Sequence, residues 1–487
     1  MPTVFKYLDN TLPLLFDRFN RWDVKIMLCI GVLFPLQFSA QHYSQDSIRT
    51  LIKNGLRYIK NDQTQITIPA FQYRGEWPTY MCLQKSYPLL GKPKRYYDSN
   101  CFSIASIHNM LAETYYNHPE FSEIAAMLQL AYPQILSYKS ANNGFNFWPL
   151  LPPSGRLRQL GKNNKVESVR RPVQYSMLMP YIRKAANIMD DNDDTAQGWM
   201  AILNHEKLKG NKIDKDLFKL FENFKDSARE NQHYYNLCYG NIINTNAYKT
   251  WRGKEEIFPG WNIPRLLVNN ALFLFPISTA YPHAYTPYMP YGANDVDAVV
   301  NANILSTLAE NGSQEKTTSG KAAADFITLK TKYGAWNTAG IYYPNRYHFH
   351  YSVIRAKYKG ALFLDSAAAH IERHLLKSQL KDGSYESRIR VNKRDKIQST
   401  AYALNALLKL GNPFGTNREI SIHKALHFLL LQSYIDNGAL CWEGGVFFSG
   451  GTVIRNILVW KSDSYTTALI VESLSIYLTY LKSSNLN

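Results

Sequence analysis

Apolar residues recur at helical rather than strand spacing from about residue 45 onward, and the helices that this pattern predicts come in pairs. One member of each pair is amphipathic, which is typical of a helix on the outside of a protein. The other is small and apolar on all sides, which is typical of a buried helix, and it begins with a short polar string suited to capping. Six such pairs predict an all-α fold, an (α/α)6 toroid of six inner and six outer helices over residues 41–487.

The polar strings at the starts of the inner helices, which we call the heads, are predicted to share one rim around a central cavity. The six heads centre on Asp98, Asp193, Asp295, His350, Thr400 and Thr466. Two long insertions, residues 142–181 and 229–292, are rich in Pro, Gly and Tyr. They are predicted to be aromatic segments that lie over the mouth of the cavity.

The second head carries three carboxylates, Asp191, Asp193 and Asp194, directly before Thr195. The carboxylates repel one another while a helix N-terminus attracts negative charge, so we expect their pKa values to be pushed apart. Residues 191–196 resemble the D-x-D-D-T-A signature of class II terpene cyclases, the squalene-hopene and diterpene cyclase family. The resemblance implies that Asp193 is the acid that protonates an alkene, and that Asp191 and Asp194 tune it. An acidic helix cap is the other interpretation of such a string.

A second resemblance concerns the turns between the later helices. Gln379, Gly383 and Tyr385 are similar to the QxxxGxW repeat of squalene cyclases and protein prenyltransferases, with Tyr in place of Trp. A looser copy with an insertion is formed by Gln432, Gly438 and Trp442. In that family the Gln caps a helix and the aromatic residue packs on the next outer helix, so this resemblance implies a fold and not a substrate.

The third and fourth heads supply further candidates near Asp193. The supporting candidates are Asn294, Asp295, Asp297, His348 and His350. A protonating acid needs a dry pocket and a hydrogen-bond partner, and His348 or His350 is the candidate partner. Asp295 and Asp297 are candidate site residues, although their string is also a good capping sequence.

Aromatic residues make up 14% of the chain, including 34 Tyr and 9 Trp. A carbocation is stabilised by π faces, so the resemblance implies an aromatic cavity and an apolar, isoprenoid-like small molecule as ligand. The candidate lining residues are Phe147, Trp148, Tyr291, Phe349, Tyr351 and Tyr465. No cofactor and no metal are expected, because no phosphate loop, dinucleotide fingerprint or paired-cysteine zinc pattern is present.

The net charge of +17 is spread along the chain, without a basic helix or zinc-finger spacing. We therefore expect no nucleic-acid partner, and attribute the charge to the surface, which can face an anionic membrane. Residues 26–38 form an apolar run preceded by basic residues, so residues 1–40 are predicted to be a signal peptide or a membrane anchor. This predicts a protein that is exported or located in the periplasm or envelope, with membrane association as a further expectation. Four cysteines, Cys82, Cys101, Cys238 and Cys441, are predicted to form two disulfides or to be buried thiols.

The leading hypothesis is a class II terpene cyclase-like enzyme that protonates an alkene or epoxide of a polyprenyl substrate. Similar toroids also act on glycans, so an exported hydrolase or lyase is the first alternative, with Asp193 or Asp194 facing Asp295 or Asp297 as acid and base. A non-catalytic envelope toroid that binds a peptide, lipid or protein is the second. The sequence leaves the oligomeric state open.

Overall fold

The structure is a computed structural model. It describes residues 43–69, 71–83, 95–152, 167–174, 187–213, 216–229, 244–254, 287, 289, 294–390, 393–450 and 458–484. The N-terminal segment 1–40, Cys238, Tyr291 and most of the two insertions lie outside the described residues. The described residues from Ser44 onward form one compact unit.

Twelve α-helices in the described part of the chain form two layers. They are α1 (Gln45–Asp62), α2 (Cys101–Asn117), α3 (Glu123–Ser137), α4 (Asn192–Leu208), α5 (Phe218–Glu222), α6 (Ala298–Glu310), α7 (Thr318–Lys332), α8 (Arg346–Tyr358), α9 (Asp365–Ser378), α10 (Ile397–Lys409), α11 (Asn417–Leu431) and α12 (Asp463–Ser484). The even-numbered helices pack side by side in chain order, and α12 packs back onto α2, so they close a ring. The odd-numbered helices lie outside it. The predicted (α/α)6 toroid is confirmed.

The inner helices are buried on all sides because their sequences are small and apolar. In α2 every residue from Cys101 to Thr114 is buried, and in α12 the same holds from Ser464 to Leu478. Such a helix cannot satisfy its first N–H groups with water, so a side chain does it. Asn100 accepts the N–H of Ser103 at the start of α2, for example.

Contacts between heads show that the inner helices begin on one rim. Asn345, the cap of α8, donates to Ser399 of α10 at 2.9 Å. Thr466 of α12 donates to Gln398 of α10. The shared rim predicted from the sequence is therefore confirmed for these neighbouring heads.

The turn motif ties neighbouring outer helices together. The amide Nε2 of Gln379 donates to the carbonyls of Gly383 and of Ser421 in α11, at 3.0 and 2.8 Å. Gly383 has a φ of +83°, and a Cβ there would lie 2.3 Å from the carbonyl oxygen of Lys424, so no other residue fits without displacement. A third copy, missed in the sequence because of a long insertion, is formed by Gln63, Gly75 and Trp77.

Three features differ from the sequence prediction. The outer helix α5 is much shorter than the helix that the sequence pattern predicts over about residues 214–225. Helix α8 begins at Arg346, so His348 lies in its first turn and His350 at the start of its second. Among the described residues, ten short strands are present that the sequence pattern did not predict. These are β1 (Tyr80–Leu83), β2 (Arg95–Tyr97), β3 (Leu150–Leu151), β4 (Val169–Arg170), β5 (Ser387–Arg390), β6 (Lys393–Asp395), β7 (Tyr434–Asp436), β8 (Ala439–Cys441), β9 (Val446–Ser449) and β10 (Leu458–Lys461).

An antiparallel sheet in the order β2-β1-β10-β9 joins segments from the two ends of the chain. Tyr80 of β1 pairs with Lys461 of β10, and Met81 pairs with Trp460. The remaining strands form the hairpins β3-β4, β5-β6 and β7-β8. The sheet matters for the site because β9 and β10 carry aromatic residues to the rim.

Two further observations bear on the sequence expectations. Cys101 and Cys441 are free and buried, so for these residues the structure shows the buried thiols that the sequence analysis gave as one alternative, and not the two disulfides that it gave as the other. Within the described ranges, no helix combines the length and the apolar character needed to cross a membrane.

Candidate active site

Asp191 caps α4 and fixes the start of the acidic string. Its side chain accepts the backbone N–H of Asp194 at 2.7 Å. The hydroxyl of Thr195 donates to the carbonyl of Asp191 at 2.5 Å and accepts the N–H of Phe145 at 3.0 Å. The three carboxylates are thereby held between α4 and the segment around Phe145, and all three are buried.

Asp193 has partners on two neighbouring units of the ring. Asn303 of α6 donates to its Oδ1 at 2.6 Å, and the hydroxyl of Tyr343, in the turn before α8, bonds to its Oδ2. Arg355 of α8 in turn donates to Oδ1 of Asn303 at 2.7 Å. The hydrogen-bond partner that the sequence analysis sought in His348 or His350 is instead supplied by Asn303 and Tyr343.

Burial favours the protonated form of Asp193. Burial raises its pKa well above the ordinary value for an aspartate and the charge of Asp191 raises it further, while the hydrogen bond from Asn303 opposes both effects. Burial raises the pKa of Asp191 only to about 6, so Asp191 is ionised at neutral pH. Burial and the charge of Asp191 raise the pKa of Asp194 well above its usual range.

The two candidate histidines face opposite ways. The ring of His348 meets Tyr343 edge-on at a centroid distance of 4.4 Å and stacks on Tyr402 at 4.5 Å, so it supports a partner of Asp193. Burial lowers its pKa to about 3, which keeps it neutral. His350 bonds to His374 of the outer helix α9 at 2.8 Å and is not brought to Asp193.

The polar side chains of the third head form hydrogen bonds that fix the surrounding backbone. Both oxygens of Asp297 accept backbone N–H groups, from Val299 and Val300 at the start of α6 and from Ile341 and Tyr342 in the turn before α8. Asp295 accepts from the hydroxyls of Thr250 and Tyr342. Burial raises the pKa of Asp295, and it raises that of Asp297 to about 6. The side-chain amide of Asn294 accepts the backbone N–H of Trp251 and donates to the backbone carbonyl of the same residue. These residues fix the turn that presents Tyr343 to Asp193.

An aromatic cluster lies beside Asp193, centred on two phenylalanines of β9. Phe448 contacts Phe147 at 5.0 Å and Tyr343 at 5.9 Å between ring centroids. Phe447 stacks on Phe102 at 5.8 Å and on Tyr465 at 4.6 Å. A cluster of this kind offers π faces to a cation next to the acid.

The structure brings most of the predicted aromatic residues to this cluster. Trp148 meets Phe147 edge-on at 5.3 Å, and Tyr351 lies 5.4 Å from Tyr402, whose hydroxyl donates to Tyr465. Phe349 instead contacts Trp336. Tyr291 lies outside the described residues.

A polar floor closes the ring below the acid, at the C-terminal ends of the inner helices. Its cations and carboxylates are paired as Lys409 with Glu472 at 2.6 Å, Lys359 with Glu310 at 3.0 Å, and Lys359 with Glu113. A cavity of about 10 Å³ among residues that include Arg355 and Glu472 has room for a single water-sized sphere. Among the described residues, no group of three or more His, Cys, Asp or Glu is arranged to hold a metal ion.

Sequence reasoning missed the residues that complete the site, namely Asn303, Arg355, Phe102, Tyr402, Phe447, Phe448 and Trp460. A signal existed for the first two, because polar side chains in the middle of a helix buried on all sides need a partner. The residues of β9 and β10 carried no such signal.

Comparison with solved structures finds the same fold in type II terpene cyclases. A variant of the type II terpene cyclase MstE from Scytonema, in complex with its product merosterolic acid A, has a TM-score of 0.52 and 11% sequence identity, covering 90% of this chain and 98% of that chain. Another variant, in complex with the substrate geranylgeranyl dihydroxybenzoate, has a TM-score of 0.51 and 11% identity, covering 90% and 99%. No protein-family model and no curated protein matches the sequence.

A cellobiose 2-epimerase from Spirochaeta thermophila has a TM-score of 0.46 and 11% identity, covering 91% of this chain and 97% of that chain, and this likeness supports no argument about function. The chain therefore has the toroidal fold of the type II terpene cyclases, and the resemblance inferred from the sequence motifs is confirmed at the level of the fold.

Proposed function

We propose that the protein is a class II terpene cyclase-like enzyme in which Asp193 protonates an alkene or epoxide of a polyprenyl substrate. The observation that carries this proposal is the position of Asp193, a buried carboxyl of raised pKa that bonds to Tyr343 at the edge of an aromatic cluster. An acid cap in a solvated loop would have neither property. On the same basis the protein is an enzyme, and its ligand is apolar and isoprenoid-like.

In the first step the O–H bond of Asp193 breaks and its proton forms a C–H bond with the π electrons of the substrate alkene. The neighbouring carbon becomes a cation, and Asp193 becomes a carboxylate. Asn303 and Tyr343 then donate to a charged acceptor, and the positive charge of Arg355 lies behind Asn303. Because hydrogen bonds to an ionised group are stronger than those to a neutral one, these donors favour the transition state over the ground state.

The carbocation needs protection from water and from basic side chains. The neutral His348 and the ring of Phe448 both contact Tyr343, whose hydroxyl bonds to Oδ2 of Asp193. π faces stabilise a cation without capturing it, whereas water or a free amine would end the reaction. The lysines of the polar floor form salt bridges with glutamates, so they are not free amines that could capture the cation.

A polyprenyl chain attached to an aromatic head group is the first substrate class to test, because the Scytonema enzyme is described with geranylgeranyl dihydroxybenzoate. We further propose that the protein is exported and meets such molecules at an envelope membrane, as the apolar run at residues 26–38 predicts. The positive net charge would favour an anionic lipid surface.

The glycan-active alternative requires a second carboxylate that is available as a base. The two oxygens of Asp297 accept hydrogen bonds from four backbone N–H groups, and the two oxygens of Asp295 accept from the hydroxyls of Thr250 and Tyr342. This disfavours either as the partner of Asp193 or Asp194. Burying three carboxyls at the start of one helix costs free energy, and a non-catalytic toroid would have no function that offsets this cost.

The substitution Asp193→Asn tests the proposal. Asparagine keeps the shape of the side chain but has no acidic proton, so turnover of a geranylgeranyl aromatic acid should fall by orders of magnitude while the free energy of unfolding changes by about 1 to 2 kcal/mol. Asp395→Asn is the matched control, because Asp395 is likewise a carboxyl at the start of an inner helix, α10, where it accepts the N–H of Gln398. Equal turnover by wild type and Asp193→Asn would exclude Asp193 as the acid.

A further inference from the structure

Asp98 is a buried carboxyl at the head of α2 that the proposed chemistry of Asp193 does not use. Its Oδ2 accepts the indole N–H of Trp460 at 2.6 Å, and its Oδ1 accepts that of Trp148 at 3.2 Å. Trp148 lies in the first insertion and Trp460 lies on β10. One carboxyl thus joins two indoles from segments that are far apart in the sequence.

A row of aromatic rings connects this pair to the acid. The indoles of Trp148 and Trp460 lie 6.5 Å apart between centroids, and Phe147 meets both edge-on, at 5.3 and 5.4 Å. Phe147 stacks on Phe448, which contacts Tyr343, the partner of Asp193. The row therefore has a buried carboxyl at each end.

The two carboxyls have opposite electrostatic roles during cyclisation. Asp193 is neutral before the reaction and negative after it, so its charge attracts the cation back to the place where it formed. An ionised carboxylate at the far end counters this attraction. It also accepts both indole N–H groups, which pushes electron density into the rings and strengthens their π faces toward a cation.

The environment of Asp98 suits that role. Burial raises its pKa to about 7, while the hydrogen bonds from Trp460, Asn100 and Trp148 lower it. A nearby cation favours the ionised form of a carboxyl further. Asp98 is therefore poised to carry its charge when a cation comes close.

We propose that Asp98 is a positioning residue for the later stage of the reaction: with Trp148 and Trp460 it forms a carboxylate-backed indole pair that stabilises the carbocation once it has moved away from Asp193. This inference rests on the proposed function. It assigns the far end of a polyprenyl substrate, and the last rings formed from it, to the indole pair. Asp98 acts through the two indoles rather than by touching the substrate.

Binding of a stable cation separates this role from simple support of the sheet. The probes are a geranylgeranyl tertiary amine, which is positively charged at neutral pH, and a neutral amide of the same shape, both titrated by calorimetry. Asp98→Asn should weaken binding of the amine by about tenfold or more and leave binding of the amide nearly unchanged. Equal weakening of both ligands would mean that Asp98 only supports the fold, and the inference would be wrong.

Indole variants keep the test decisive if Asp98→Asn folds poorly. Trp460→Phe keeps a ring but loses the N–H, and it should weaken the amine selectively. Trp442→Phe is the matched control, because it removes an indole hydrogen bond of 2.7 Å, to the carbonyl of Leu429, outside the aromatic row. The same selectivity in Trp442→Phe and Trp460→Phe would overturn the inference.

Product analysis distinguishes this inference from the proposed function. Asp98→Asn should still consume substrate but should release more products with fewer rings, whereas Asp193→Asn should consume almost none. Identical product spectra for wild type and Asp98→Asn would overturn the inference alone. Absence of isoprenoid turnover in the wild type would overturn the proposed function and the inference with it.

Discussion

Asn303 is the residue whose removal tests the acid most informatively without touching it. Its amide nitrogen donates to Oδ1 of Asp193 at 2.6 Å, and its amide oxygen accepts from Arg355 at 2.7 Å. Asn303→Leu has similar volume and removes both bonds. The substitution leaves Asp193 itself unchanged but removes a hydrogen-bond donor that stabilises its carboxylate form.

The expected size of the effect follows from the chemistry of this bond. A hydrogen bond to a charged group contributes about 1.5 to 3 kcal/mol, so its removal should raise the pKa of Asp193 further. The transition state, in which Asp193 is becoming a carboxylate, loses most of that energy. Proton transfer should therefore slow by roughly 10- to 100-fold. Leaving Arg355 without this acceptor should lower the free energy of unfolding by about 2 to 4 kcal/mol.

Single-turnover kinetics with an isoprenoid substrate, together with urea unfolding, measure the two effects separately. Asn405→Leu is the matched control, because Asn405 is also an inner-helix amide that donates to a buried carboxyl, Glu472, at 3.0 Å, in the polar floor. It should lose comparable stability and retain the rate of the chemical step. Equal rates for Asn303→Leu and Asn405→Leu would refute the reasoning.

Three further predictions follow from the same geometry. Tyr343→Phe keeps the ring but removes the hydroxyl at Oδ2 of Asp193, so single-turnover rates should fall about tenfold; unchanged rates would contradict the assigned contact. As pH rises above the ordinary aspartate pKa, wild type should lose stability relative to Asp193→Asn, because the folded wild type keeps a proton on Asp193 that the unfolded chain has released, at roughly 1.4 kcal/mol per pH unit. Urea titrations at several pH values measure this difference, and a difference that does not change with pH would mean that the pKa of Asp193 is not raised. Gly383→Ala should destabilise more than Gly411→Ala by about 1 kcal/mol or more in urea unfolding, since both have positive φ but only the former meets Lys424; equal losses would contradict this packing.

Much of the fold could be predicted because helix period and capping are local properties. The start of α4 at the string around Asp193, and the alternation of amphipathic and fully apolar helices, follow from residues close together in the sequence. The antiparallel sheet could not be predicted, because β1 and β10 pair across nearly the whole chain and each is only four residues long. Short strands with one non-local partner leave little periodicity.

The site was predicted less completely because it depends on how each inner helix is rotated. Successive residues of a helix point about 100° apart, so His348 and His350 face nearly opposite directions and only one can meet the central axis. Tyr351, three residues after His348, returns to the same face, whereas Phe349 contacts Trp336. The sequence alone does not set this rotation, and for the same reason it did not reveal Asn303 as the partner of Asp193.

The central claim is that the chain transfers a proton from Asp193 to an alkene, and the most direct measurement is turnover in deuterium oxide. A buried carboxyl that exchanges its proton with solvent between turnovers would deliver deuterium to carbon, so the cyclised product should contain one deuterium at the protonated carbon, located by NMR and counted by mass spectrometry. The label should disappear with the product in Asp193→Asn. A cyclised product that contains no carbon-bound deuterium, or labelled product formed equally by Asp193→Asn, would contradict the account.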